Sequence, residues 1–570
     1  MGLISTIRTS CRDCYKCVRS CPVKAIRVTD GHAEVIDSRC IADGRCVTIC
    51  PQNAKKIESH IERVQQFLDS GAPVAVSLAP SAIVAFDLPE VGQLLNGLRR
   101  LGFQYIEETA EGAEWVAKEH LRLINEGHAP VITSCCPAIV NLLEIYYPDL
   151  LPYLAPVVSP MIAHGRILKS RYGADTKVVF IGPCIAKKGE EPRTGAIDAV
   201  LTFAELATLF ELGSIRPAAL KADRFDEVHT AKAHAFPSPG GLAKTVALST
   251  DLMSQEILSI DGLDESIAFL ERFQEAKNGL KLIELLACRG GCLAGPGMTG
   301  KESLFSRRER LLKYAEQRWS ADESTAAPHP ASPLLARNYN TQKSAAFSQV
   351  PEAEIRKILA RTGKFTPQDE LNCGACGYNS CREKAVAIAN GMAEVDMCIP
   401  YMRAKAESKA HLICQMTPNA IFVVDQELRI VEVNPAAEQK FLCRQELVVG
   451  KKLSAIIDPQ HFERVLATKE LVTGEVGFPN YGIVAWQAIF YAEKEGVLIG
   501  IFADITKEKQ QKEKLDRVTG ETLAKAQEVI DKQMRVAQEI AGLLGETTAE
   551  TKVQLTKLMK LITNEEEKAR

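Results

Sequence analysis

Several things are scarce in this 570-residue chain. There is no surplus of one charge: 69 Lys and Arg stand against 72 Asp and Glu, a formal net charge of −3. That balance gives no argument for nucleic acid or an anionic membrane as partner. No uninterrupted apolar stretch reaches the length of a membrane span, and the opening MGLISTIRTSCRD lacks the apolar core of a signal peptide. A cytoplasmic protein is therefore expected. No long internal repeat is present beyond the two halves of the N-terminal cysteine region. Cysteine itself is plentiful, with 18 in the chain. In a reducing compartment so many thiols are expected to ligate metal more than to form disulfides. They gather near 11–50, 135–184, 288–292 and 373–398, and only Cys414 and Cys443 stand apart as expected small buried hydrophobes.

Composition and periodicity predict a multidomain protein of mixed α/β class. Residues 1–58 are short, cysteine-dense and split by a turn at Gly31. Residues 70–315 alternate apolar strand-like runs (VAVSLA, PVITSC, KVVFIG, LKLIELL) with amphipathic helices, the pattern of a largely parallel, buried sheet. Residues 316–349, rich in Pro, Ala and Ser, predict a linker. A compact cysteine cluster spans 350–405, a small α+β segment 408–507, and a charged helical segment 508–570. In the last, Leu515, Thr522, Val529, Val536 and Leu543 recur by sevens, with Ala526, Gln533 and Ile540 four positions on. This predicts a coiled coil, made imperfect by Gly520, Gly542 and Gly545.

The stretch CRDCYKCVRSCP places Cys11, Cys14, Cys17 and Cys21 at the C-x2-C-x2-C-x3-C-P spacing of bacterial ferredoxins, where the fourth thiolate crosses to a second cubane. A zinc knuckle is the alternative, disfavoured by the proline and by a second motif, CIADGRCVTICP. There Cys40, Cys46 and Cys50 fall where ferredoxin ligands belong, but Asp43 takes the remaining position. The crossing rule then assigns Cys11, Cys14, Cys17 and Cys50 to one cluster, and Cys21, Cys40 and Cys46 to the other. Asp43 is a carboxylate ligand of the second, or it leaves one iron open or absent. A hard oxygen ligand should make that iron labile. Further on, Cys373, Cys376, Cys381 and Cys398 are spaced C-x2-C-x4-C-x16-C, four soft ligands for a 4Fe–4S cluster or for zinc. Glycines beside these thiols favour the cluster.

Adjacent cysteines such as Cys135 and Cys136 almost never form a disulfide with each other. Together TSCCPA (133–138), GPCIAKKGE (182–190) and ELLACRGGCLAG (284–295) resemble the three signature segments of FeFe-hydrogenases, in the same order. With the N-terminal part, the likeness covers residues 1–310. It implies a ferredoxin-like two-cluster domain ahead of an α/β H-cluster domain. Cys136, Cys184, Cys288 and Cys292 would hold a cubane, and Cys292 would bridge to a diiron centre carrying CO, cyanide and an azadithiolate. Cys135 would hand protons to the bridgehead amine. Lys187 would donate to one cyanide, and Ala79, Pro80 and Ser81 would line the other side of the pocket, Ser81 offering its N–H to the second. Gly290 and Gly291 would let the chain wrap the cluster. The alternative is a lone metal pair with Lys187 as a solvated lysine.

The departures from the family bear on rate. Gly182 and Leu286 stand where active members usually carry Met, Met161 where they carry a pocket Gln, and Lys118 and Ala155 where their proton relay has Glu and Ser. Alanine carries no proton and lysine is matched to a different pKa, so slow turnover is expected. Glu114 and Glu119 could offer another route with water, although a solvated helix face is the plainer expectation. Residues 411–507 resemble a PAS domain, whose Asn434 and Pro435 fit a strand-to-helix turn.

A hydrogen-sensing FeFe-hydrogenase is the resulting expectation. It would bind hydrogen and slowly oxidise or produce it, relay electrons through its 4Fe–4S clusters, and signal through PAS and coiled coil. The expected partners are hydrogen and protons, a second copy, hydrogenase maturases, and a separate kinase, phosphatase or redox protein. The rivals are a catalytic ferredoxin-linked hydrogenase and an iron–sulfur redox sensor lacking the diiron centre.

Overall fold

The N-terminal cysteine region is built twice. Strand β1 (Ile4–Thr6) pairs antiparallel with β4 (Lys55–Ile57), closing the segment end to end, while β2 (Ile26–Thr29) and β3 (His32–Val35) form a hairpin. Asp30 and Gly31 both take positive φ at its tip, the backbone that a tight hairpin with right-handed strand twist requires. Each half places a short helix after its first thiols, Lys16–Ser20 and Arg45–Thr48, entered from a left-handed residue, Tyr15 or Gly44. At Gly44 a Cβ would lie 2.7 Å from both Ile185 and Pro296, so glycine lets this region approach the next one closely.

That next region holds two parallel sheets. In the first, β5 (Val74–Leu78) lies between β6 (Tyr105–Glu108) and β8 (Lys177–Gly182), with β9 (Ala199–Thr202) at the edge. In the second, β11 (Leu282–Leu286) lies between β7 (Val131–Ile132) and β10 (Ile257–Asp261). Strands β5, β9 and β11 are buried at every residue, which accounts for their unbroken apolar runs. Ala79, Cys135, Cys184 and Cys288 all follow the carboxyl ends of these strands, the edge where open parallel sheets bind ligands.

In the computed structural model the described residues are 2–190, 194–226, 231–245, 256–300, 302–319, 335–340, 347–544 and 552–557. They fall into two compact units, Met1–Met402 and Arg403–Arg570. Much of the stretch expected to be a linker, including 320–334 and 341–346, lies outside the described residues. Its remainder corrects that expectation. The helix Leu304–Trp319 enters it, and residues 335–340 pack on the hydrogenase-like region with Leu335 only 1% exposed. Apolar Leu335 and Tyr339 anchor a segment whose Pro, Ala and Ser content masked them.

The cysteine module after residue 347 belongs to the same unit. Its helices Glu352–Arg361 and Cys381–Ala389 pack together, and its loops bond to the first region. Val28 N–H donates to Met392 O (3.0 Å), Lys24 Nζ to Gly377 O (2.8 Å) and Arg19 Nη1 to Ala375 O (2.8 Å).

The second unit is a five-stranded antiparallel sheet in the order β13-β12-β16-β15-β14, from β12 (Ala420–Val424), β13 (Ile430–Val433), β14 (Val472–Phe478), β15 (Ile483–Ala492) and β16 (Val497–Asp504). Asn434 caps the helix Pro435–Lys440 by accepting from Ala437 N–H at 2.9 Å, and it also accepts from Ile421 N–H at 2.8 Å. Phe422, Phe441, Phe478 and Phe502 meet edge to face inside the sheet's cup. Cys414 and Cys443 are half-buried, not buried as expected, because Cys414 rides on a helix end and Cys443 on a loop. The helix Thr506–Leu544 leaves the sheet with Leu515, Val529, Val536 and Ile540 exposed. The surroundings of Gly542, the side chain of Leu543 and all of Gly545 lie outside the described residues. No helix among the described residues is long and apolar enough to cross a membrane.

Candidate metal centres

The strand ends bring four thiols together. Burial pushes Cys184 up to about 11, and the nearby Cys136 adds to the rise. Burial takes Cys292 up to about 12, with Cys184 and Cys136 again adding. Cys288 is raised well above the usual thiol range by burial and by the other three. Each is thus close enough to feel the charge of its neighbours, as one ligand group must be. Cys292 retains accessible surface. Gly290 and Gly291 both take positive φ, and a Cβ on Gly291 would meet Pro237 O at 2.3 Å. The CRGGC turn is therefore possible only with glycine there.

Cys135 points elsewhere. Burial raises its pKa well above the thiol norm, buried Glu284 adds to the rise, and Lys187 opposes it, so the proton stays on sulfur at neutral pH. Lys187 is 8% exposed and donates to Glu190 Oε2 at 3.0 Å, so it is no solvated lysine. Burial opposes its charge, but Glu190 and the thiols Cys184 and Cys292 prevail and hold its pKa above the ordinary value. On the far wall Ala79 N–H donates to Ile181 O (2.9 Å), Pro80 opens a short 3-10 turn, and the Ser81 hydroxyl is buried without a partner among the described residues.

The departures also have structural reasons. At Gly182 a Cβ would lie 2.6 Å from the Phe180 ring, which occupies the space a longer side chain would take. Met161 and Ala155 are buried, and Lys118 is half-exposed in an ion pair with Glu114 at 2.8 Å. The solvated helix face expected of Glu114 and Glu119 is corrected. They are 9% and 5% exposed on the helix Ala110–Asn125, whose polar positions turn inward beside Lys118 and Arg122.

Two supporting residues escaped sequence reasoning. His120 is fully buried, with Nδ1 2.7 Å from Val116 O and Nε2 3.5 Å from Ser134 N–H, and burial lowers its pKa to about 4. It is a neutral prop under the TSCC loop. Glu284, in β11, accepts from Gly240 N–H (2.6 Å), Leu242 N–H (3.2 Å) and Ser259 Oγ (2.7 Å). Inside an apolar run, neither its burial nor its partners could be read from spacing.

In the N-terminal region Cys21, Cys40, Asp43 and Cys46 form a second mutually interacting set. Burial takes Cys21 up to about 12 and Cys40 up to about 11, and Asp43 adds to both. Burial raises Cys46 too, followed by Asp43, Cys40 and Cys21. Asp43 itself is pushed up to about 6 by burial, against the pull of Arg45 3.6 Å away, and its Oδ2 has no hydrogen-bond partner among the described residues. Cys17 is raised by burial with contributions from Cys11 and Cys14, a third set. Cys50 is tied to that loop through Ala54, whose N–H donates to Cys50 Sγ (3.3 Å) while its O accepts from Ile7 N–H. The pseudo-equivalent Cys21 Sγ accepts from Ala25 N–H, also at 3.3 Å.

Cys373, Cys376, Cys381 and Cys398 line one cleft of about 500 Å³ including its open mouth. Two buried lysines stand beside them, Lys364 with Nζ 3.4 Å from Cys398 Sγ, and Lys384, whose pKa burial lowers against Cys398 and Cys376. Spacing gave no sign of either. All four sets suit iron, since soft thiolates dominate and buried polar groups face them.

A parallel-sheet domain that gathers thiols beyond its strand ends, joined to two cysteine-rich modules, is the class that this architecture defines, and comparison with known proteins agrees with an iron–sulfur protein. Residues 72–296 match the family described as iron only hydrogenase large subunit, C-terminal domain; 3–51 match the 4Fe-4S dicluster domain; 369–400 match an Fe-S cluster family; 415–476 match the PAS fold. The chain carries an iron-only hydrogenase domain, iron–sulfur domains and a PAS domain, and its relatives include FeFe-hydrogenases. Iron hydrogenase 1 of Clostridium pasteurianum is 28% identical over 51% of this chain and 64% of its own length. The NADP-reducing hydrogenase subunit HndD of Solidesulfovibrio fructosivorans is 29% identical over 49% and 60% respectively. The chain thus spans under two thirds of each of these relatives. A probable cytosolic Fe-S cluster assembly factor of Caenorhabditis elegans is 22% identical over 48% of this chain and 73% of its own. Among solved structures, apo FeFe-hydrogenase from Chlamydomonas reinhardtii superimposes with a TM-score of 0.40 at 19% identity, over 50% of this chain and 100% of that one.

Two outcomes test these sets. Asp43→Cys should slow the release of iron to a chelator and alter the electron paramagnetic resonance of the reduced protein; unchanged release and spectrum would remove Asp43 from the ligand set. Lys364→Met should lower the potential of the Cys398 cluster by roughly 60 mV, the one-electron equivalent of a tenfold change in equilibrium. An unmoved potential with full iron content would show the lysine to be only packing.

Proposed function

We propose that this chain is a hydrogen-responsive FeFe-hydrogenase that turns over slowly and signals through its PAS unit to a separate protein. The observation that carries the proposal is the crowded quartet Cys136, Cys184, Cys288 and Cys292 with a fifth, protonated thiol, Cys135, beside it. The quartet would hold a cubane, with Cys292 shared by a diiron unit bearing CO, cyanide and azadithiolate. That group, when bound, supplies heterolytic cleavage of hydrogen. The chain's own residues would do the rest. Cys135 would hold and pass the proton, Lys187 would hydrogen-bond an anionic ligand, and 79–81 with Phe180 would shape the far wall. Ala155 interrupts the usual relay, and Lys118 is held by Glu114, which supports slow exchange of protons with solvent.

Electrons would leave through the Asp43-containing 4Fe–4S cluster, whose carboxylate is near enough to raise Cys288. From there they would reach the Cys11/Cys50 cluster and the Cys373–Cys398 cluster. Tyr378 is buried between Cys376 and Cys21, each of which raises its pKa after burial itself. A second copy, joined along the exposed apolar stripe of Thr506–Leu544, would make the output a property of a dimer. The matured site needs hydrogenase maturases as partners, and a kinase or phosphatase is the partner class suited to a PAS exit helix.

One finding supports a second reading. A relative named as an Fe-S cluster assembly factor shares this domain, so an iron–sulfur redox sensor without the diiron unit is the rival. Infrared spectra of maturase-treated protein under hydrogen and under argon separate the two. Bands from CO and cyanide that shift with hydrogen are expected, and their absence leaves only the redox sensor. In matured protein Cys135→Ala should abolish residual hydrogen turnover and leave iron content intact; turnover at the original rate would end the proton role of Cys135.

A further inference from the structure

Residues 335–340 lie outside the matched hydrogenase and Fe-S segments, yet they reach the centre of the site. Two main-chain hydrogen bonds, which together make one antiparallel bridge, seat them on the 155–158 segment. Val158 N–H donates to Leu335 O (2.8 Å), Arg337 N–H donates to Pro156 O (3.0 Å), and Val157 bridges antiparallel to Ala336. Tyr339 then donates its hydroxyl to Val157 O at 2.6 Å, and the Arg337 guanidinium lies 4.6 Å over the Tyr339 ring.

From this seat Arg337 Nη1 donates to Glu190 Oε1 at 2.9 Å. The other oxygen of Glu190 accepts from Lys187 Nζ at 3.0 Å and from Ser159 Oγ at 2.8 Å. One carboxylate is thus shared by two cations, with side-chain exposures of 11% for Lys187, 5% for Glu190 and 10% for Arg337. Breaking one side of a buried ion group leaves an uncompensated charge, which is strongly destabilising. The triad also carries one positive charge more than it neutralises. Lys187 also lies within electrostatic reach of Cys184 and Cys292, so the surplus stands beside the thiol quartet.

We propose that Arg337 is a positioning residue of the hydrogenase-type site: borne on the 335–340 strap, it fixes Glu190, and through it the direction and charge of Lys187. Tyr339 holds the guanidinium flat from beneath. Arginine suits the task because its planar fork satisfies a carboxylate while stacking on an aromatic ring, which lysine does not do. A consequence is that the strap, on which the cysteine module follows, is bonded through two ion pairs to the residue assigned to an anionic ligand. The part of the inference concerning that ligand rests on the proposed H-cluster; the seating of the strap does not.

The test uses the full chain as wild type, Arg337→Ala, Arg337→Lys and Glu190→Gln, with iron content measured for each. In unmatured protein, amide hydrogen exchange over 335–340 should accelerate on the order of tenfold in Arg337→Ala and in Glu190→Gln, because a buried charge pair is lost. In matured protein the cyanide bands should shift and broaden in Arg337→Ala, and Arg337→Lys should recover part of the shift. Unchanged exchange and unchanged bands in Arg337→Ala at full iron content would overturn the proposal. Faster exchange with unmoved bands would reduce Arg337 to a strap anchor and overturn its link to Lys187. Should wild type show no diatomic bands at all, the H-cluster reading fails, and the exchange result still decides whether Arg337 seats the strap.

Discussion

Thiols crowded into a protein interior repel one another as soon as they ionise. That constraint underlies the whole first unit. Cys184, Cys288 and Cys292 are each raised by burial and then by neighbouring thiols, Cys136 among them in every case, and Cys21, Cys40 and Cys46 by burial and then by Asp43. A chain gains nothing from gathering such groups unless a cation is to be held among them, since a metal centre reverses the local charge balance and keeps the sulfur deprotonated. The fold makes the gathering possible by ending its parallel strands at a common edge. Segments far apart in sequence, 133–136, 183–184 and 287–292, then need only two to six residues beyond their strands to bring their thiols together.

The repeated answer to anionic sulfur is a buried lysine. Lys55 lowers Cys17, Cys40 and Cys46 while it donates to Ala33 O and Thr6 Oγ1. Lys187 does the same for Cys184, Cys292 and Cys135. Lys364 and Lys384 flank Cys398, and Lys24 lies where Cys21 and Cys376 both raise it against the effect of burial. An ammonium deep in protein is costly without a counter-charge. Its recurrence beside each thiol set suits sulfur that would be anionic when holding metal. It also stitches the sets together, because Lys24 reaches from the first region to Gly377 O in the cysteine module.

What could be read in the sequence follows the range of the interactions. Spacing within one loop, such as Cys11 to Cys21 or Cys373 to Cys381, is local and shows directly. The meeting of Cys136 with Cys288 depends on β7 pairing with β11 and became visible only through likeness to a family. Burial of Glu114, Glu119 and Glu284 was hidden because charge on a helix or strand normally means solvent, and only packing against other elements reverses it. The 335–340 strap was hidden for the opposite reason. Its surroundings are Pro-, Ala- and Ser-rich, and nothing local shows that Leu335, Arg337 and Tyr339 have partners at 155–158 and at Glu190. Asn434 was legible because an Asn-Pro turn acts on its own backbone neighbours.

The second unit sets its own condition on the signalling proposed for it. Its interior is filled by Phe422, Phe441, Phe462, Phe478 and Phe502, and a close-packed aromatic core resists graded deformation. Change is then more easily carried by the helix Thr506–Leu544, at 39 residues about 58 Å long at 1.5 Å per residue. Leu515 is 65% exposed, Val529 59% and Val536 45%, a set spaced by sevens that one helix alone cannot bury. A partner helix in parallel would cover it, and polar Thr522 interrupts the apolar seam between Leu515 and Val529. Such a parallel pair, if formed, would pass on an upstream change as a rotation or a shift of register.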